Sequence, residues 1–220
     1  MQPLNAPTVP AKPRLRGWFH EVAFFISIPA GVALAVLAAG TRARTATIIY
    51  AVSLTAVFGA SAAYHRVDWS PEALRRMKRL DHSMIFVLIA GSYTPMCLLA
   101  LHGAWTVVLL SLVWTGAAVG ITLKNIRIDG FHVLTGFLYI ALGWVALFAL
   151  PQLVRELSPV EIVLMAAGGV LYTVGAIVLA RHRPDPAPAT FGYHEIWHAF
   201  IVAAAACHYA MVMLIVRAPI

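Results

Sequence analysis

The sequence predicts an all-α polytopic membrane protein with seven transmembrane helices, and three observations predict it. Hydrophobic residues make up 61% of the 220 residues and charged residues only 11%, with a mean hydropathy of +0.82, whereas a soluble domain carries about 25% charged residues. Seven apolar runs, free or nearly free of charge, follow one another along the chain, each close to the ~20 residues that cross a bilayer as a helix. The runs are continuously apolar and rich in Ala, Leu and Val, without the alternation of an outer-membrane barrel. This composition excludes disorder, a nucleic-acid module and an ordinary cytosolic enzyme, and it leaves no length for a soluble domain. The net charge of +7 then serves topology and contact with anionic lipid headgroups rather than nucleic acid.

Residues 1–21 read as a cytoplasmic tail, with Pro3, Pro7, Pro10 and Pro13 and the basic Lys12, Arg14 and Arg16; residues 22–220 form the membrane domain. The first run, 22–40, reads as an uncleaved anchor, because its apolar stretch is longer than a signal-peptide core, with Ala38-Ala39-Gly40 as the one stretch compatible with cleavage. After the second run, 45–65, Ser70-Pro71-Glu72 supplies an N-cap, a first-turn proline and an early acid. Arg75, Arg76, Lys78 and Arg79 follow, which predicts a short interfacial helix ahead of the third run, 81–101. The remaining runs are 104–123, 131–150, 159–180 and 194–216. Cys97 and Cys207 lie inside apolar runs and read as small buried hydrophobes rather than a disulfide.

With seven spans, 12 of the 16 Lys and Arg residues fall on the side of the N-terminus. Positively charged loops stay inside, so the N-terminus is expected in the cytoplasm and the C-terminus outside.

An ionisable side chain inside a membrane segment costs roughly 2.5 to 3.5 kcal/mol at the helix centre, so each needs a reason. Here they gather at three helix ends on the expected cytoplasmic side: Ser61 and His65, Asp81 and His82, and His194, Glu195 and His198. Residues four apart share a helix face, which pairs Ser61 with His65 and His194 with His198. His194 and His198 make half of a metal site, and His65 at the same level is the third ligand of a zinc centre with an open position. Asp81 then acts as a base or water-orienting group beside the metal, and Ser61 as a hydrogen-bond donor to water or substrate. His20, His82, His102, His132, His182 and His208 read as structural, although His20 and His132 sit where they could line the site. His194-Glu195-Ile196-Trp197-His198 also spells the H-E-x-x-H of metalloproteases. No downstream acid follows as a third ligand, so Glu195 reads as a helix-start acid or a neighbour of the site rather than a base.

Three stretches carry a family resemblance: Ser61-Ala62-Ala63-Tyr64-His65, Leu80-Asp81-His82-Ser83 through Ile89-Ala90-Gly91-Ser92-Tyr93-Thr94-Pro95, and the His194–His198 segment. Together they resemble the hemolysin III family of bacterial membrane proteins, relatives of the progestin and adipoQ receptors and of the alkaline ceramidases. The resemblance implies a seven-helix fold in the bacterial inner membrane, with Zn2+ held near the cytoplasmic face by His65, His194 and His198. Asp81 and Ser61 match the family's other polar positions. Two functions follow as expectations: a zinc-dependent hydrolase of amide or ester bonds in membrane lipids, or a non-enzymatic sensor of lipid or membrane state (or a cytolysin) in which zinc is structural.

Overall fold

The computed structural model describes residues 12–218; Pro3, Pro7 and Pro10 of the tail lie outside them. Among the described residues, seven helices are long and apolar enough to cross a membrane. They are α1 (Trp18–Leu37), α2 (Gly40–Arg66), α3 (Pro71–Ala100), α4 (Ala104–Ile126), α5 (His132–Glu156), α6 (Pro159–Arg181) and α7 (Tyr193–Arg217). Short connections make sequence neighbours pack side by side through α4, α6 packs on α7, and α1 returns against α7. Large apolar side chains such as Val107, Phe137, Phe148 and Val163 face outward, as a lipid environment requires.

Three element boundaries differ from the sequence reading. Helix α1 begins at Trp18, inside the stretch read as tail. The predicted interfacial helix is no separate element. Ser70 caps the start by accepting from the Ala73 N–H at 3.3 Å, Pro71 takes the first turn, and nothing between Glu72 and Asp81 breaks the helix, so it runs 30 residues into the membrane as α3. At 1.5 Å per residue that is about 45 Å against a core of about 30 Å, and the basic first turns project into the headgroup region.

Helix α5 continues past residue 150 because its break is repaired internally. A 3-10 stretch, Val145–Ala149, precedes Pro151. Buried Tyr93 of α3 serves the disrupted backbone twice: its hydroxyl donates to the Gly143 carbonyl at 2.8 Å and accepts from the Ala146 N–H at 3.0 Å. In lipid every backbone polar group needs such a partner.

Helices α2 and α3 pack closely at Gly91, where a Cβ would fall 2.1 Å from Ser53 Oγ; small residues permit this approach of backbones. The core divides into one cluster around Phe86, Leu109 and Leu142 and another around Tyr50, Phe58 and Val212. Cys97 and Cys207 are both free. Residues of all seven helices line a cavity of about 790 Å³, with α3, α5, α6 and α7 supplying most of its wall.

Candidate metal centre

His65 closes α2, and the single turn between His194 and His198 at the start of α7 points both rings at it. Ligand nitrogens of the three residues lie within 4.8 Å of one another. Nε2 of His194 and Nε2 of His65 are 3.2 Å apart, against about 3.3 Å for two nitrogens each bound to a tetrahedral zinc at 2.0–2.1 Å. His198 is 1% exposed, and neither of its ring nitrogens has a hydrogen-bond partner. Buried polar atoms without partners are rare. An all-imidazole donor set with such an orphan suits a borderline metal such as zinc.

Asp81 and Ser61 meet beside the triad. Both are buried, and the Ser61 hydroxyl acts on the Asp81 carboxyl beside it. Both line the cavity, as do His20 and Trp197, while none of the three clustered histidines does. The cavity therefore ends at Ser61, Asp81 and His20, and His20 in its wall stacks on His198 of the cluster. All five candidate residues thus lie toward one end of the bundle: His65, His194 and His198 as the cluster, Ser61 and Asp81 in the cavity wall.

Glu195 is directed away from this cavity. Fully buried, it accepts from the Gly192 N–H at 2.8 Å, as a helix-start acid does, and from Arg16 Nε at 2.5 Å. Arg16 escaped the sequence reading because a basic residue before a span registers as a topology signal. It belongs to a strap: the Arg14 and Leu15 N–H groups donate to the Ala189 and Thr190 carbonyls at 3.1 and 3.2 Å, tying the N-terminal segment to the loop before α7. The next residue, Gly17, has φ +81°, and a Cβ there would fall 2.6 Å from that of His65. The strap thus abuts one metal-ligand candidate and anchors the helix that carries the other two.

His20 is the second residue the sequence left undervalued. Its ring stacks on His198 at a centroid distance of 3.8 Å, and its buried nitrogens have no partners; a lone histidine at a helix start carries no signal that would reveal this. Of the others, His82, His132, His182 and His208 line the cavity, and His102 sits beside Glu156 at 3.5 Å, away from the site.

A family model described as "Haemolysin-III related" matches residues 9–209. The chain belongs to the hemolysin III family. It is 33% identical to "Hemolysin-3" of Bacillus cereus over 202 residues, covering 90% of this chain and 88% of the relative. It is 32% identical to a "Hemolysin-3 homolog" of Bacillus subtilis, covering 88% and 89%. The human "Monocyte to macrophage differentiation factor" is 27% identical over 165 residues, covering 73% of this chain and 66% of that protein. For a hemolysin III protein the strap suggests a test of positioning. Arg16→Ala leaves the Glu195 carboxylate buried without its cation, a loss of order 3 kcal/mol. The expected outcome is a lower melting temperature in detergent together with weakened metal retention, both largely restored in Arg16→Lys. Wild-type retention in a destabilised Arg16→Ala would confine the strap to stability.

Proposed function

We propose that this hemolysin III protein is a zinc-dependent hydrolase of amide or ester bonds in lipids of the bacterial inner membrane, with its N-terminus cytoplasmic and its C-terminus outside. The observation that carries the reading is a cluster of three histidines next to a large, mostly apolar cavity whose wall includes Ser61 and Asp81, and whose His20 stacks on His198. His65, His194 and His198 would hold the ion. Zinc, when bound, supplies a Lewis acid that polarises a carbonyl and activates water near neutral pH.

The chain's own residues supply the rest. The cavity walls take the acyl chain and keep bulk water from the polar end. Asp81 accepts the proton of the attacking water, and Ser61 turns its hydroxyl to the carbonyl oxygen as negative charge develops there. The water oxygen bonds to the acyl carbon, the C–N or C–O bond breaks, and the proton held at Asp81 passes to the departing amine or alkoxide. A fatty acid and a deacylated lipid leave.

One observation favours a second reading, a lipid or membrane-state sensor with structural zinc: the clustered histidines lie behind the cavity wall rather than in it. Cytolysis, which the relatives' names suggest, has less support, because seven continuous apolar helices give a secreted pore-former no soluble form. Protein purified in detergent and assayed for zinc and for fatty-acid release from membrane lipids separates these readings. One zinc per chain with release supports the hydrolase; one zinc without release supports the sensor; no zinc rejects both.

Orientation has its own test. With 12 of 16 Lys and Arg on one side, a C-terminal reporter fusion is expected to read as external and one near Glu72 as cytoplasmic. Both ends on one side would contradict the seven-span topology.

A further inference from the structure

The polar end of the cavity carries a cation that neither the fold nor the proposed reaction uses. Lys124, in the last turn of α4, is 3% exposed and lines the cavity. Among the described residues no carboxylate is in ion-pair contact with it. The exposed Asp129 acts on it only from beyond ion-pair distance, because that carboxylate is held by the neighbouring Lys78, whose ammonium donates to Asp129 Oδ1 at 2.6 Å. Asp81, the acid on the same cavity wall, is adjacent to His82 and Ser61 and not to Lys124. His82, His132 and His182 line the same end, adding polar groups without negative charge.

A buried ammonium is stable only when paired or hydrogen-bonded. The counter-charge it lacks can come from an anion in the cavity. A free anion would use Lys124 alone and leave the apolar walls, such as Ile85, Leu88 and Ile201, without contact; an anionic lipid uses both. We propose that the cavity binds a phosphate-bearing lipid, its phosphate at Lys124 and its acyl chain along the apolar walls, which places the acyl linkage toward Asp81 and Ser61. This names the substrate class of the hydrolysis proposed above and rests on that reading for the reaction alone; binding requires no turnover.

Native mass spectrometry of the protein in an uncharged detergent tests it, comparing a lysophosphatidic acid with a monoacylglycerol of the same chain length. The phosphate lipid is expected to bind about tenfold more tightly to wild type, a difference that a charge-assisted hydrogen bond readily supplies. Lys124→Gln should bring it down to the level of the neutral lipid, and Lys124→Arg should keep the preference. Equal binding of the two lipids by wild type overturns the proposal, even if the Gln variant fails to fold. So does an undiminished preference in a folded Lys124→Gln protein. Displacement of the lipid by millimolar inorganic phosphate would assign the site to a free anion and likewise overturn it. A protein that prefers the phosphate lipid yet releases no fatty acid keeps this headgroup site and loses the hydrolase reading.

Discussion

Replacing His65 with alanine is expected to lower zinc from about one ion per purified chain to less than a tenth of that, and to abolish lipid hydrolysis. Among the described residues three imidazoles from two helices supply the candidate ligands, and a zinc site reduced to two protein ligands loses both affinity and geometry. His194→Ala and His198→Ala should behave alike. His208→Ala and His102→Ala are the controls: the first ring lies in the outer half of α7 with Nε2 3.3 Å from the Met165 carbonyl, the second beside Glu156. Metal analysis of the five variants decides the matter. Full occupancy in His65→Ala would remove α2 from the site and return attention to the H-E-x-x-H reading, which the burial of Glu195 against Arg16 otherwise disfavours.

The second large effect is expected at Asp81, where substitution separates catalysis from metal binding. Asp81→Asn preserves shape and polarity beside Ser61 but removes the proton acceptor. A general base contributes typically 10² to 10⁴ in rate, so fatty-acid release should fall by that factor while zinc content stays at the wild-type level. If wild type hydrolyses lipid and Asp81→Asn matches it, the base lies elsewhere. If the variant loses its zinc, Asp81 supports the metal rather than the reaction.

The spans and the candidate site were largely legible in the sequence for the same reason: in an apolar background each polar residue stands out. The seven spans follow from long charge-free runs, and the His-x3-His and Ser-x3-His spacings survive because helices keep residues four apart on one face. What escaped depends on partners distant in sequence. The fifth apolar run reads as ending at 150, and the helix goes on past it with its broken backbone satisfied by Tyr93, 50 positions from Gly143. Arg16 and Glu195 are 179 positions apart, so neither residue's local context announces the pair. The stack of His20 on His198 is of the same kind. At the α3 start Ser70-Pro71-Glu72 marks the cap in the sequence itself, and the helix is longer than its basic first turns because nothing after them stops it.

The strap has a consequence for how the protein is made. Arg16 and Gly17 emerge from the ribosome before the first span, His65 with the second, and His194 and His198 only with the last, so the two ends of the polypeptide must meet to finish the centre. A partly synthesised chain of six spans holds one of the three histidines and none of the strap's partners on α7. If the proposed zinc is bound, its loading belongs to the end of biosynthesis, and a chain stalled before Tyr193 would hold one of the three candidate ligands and no means of retaining the ion.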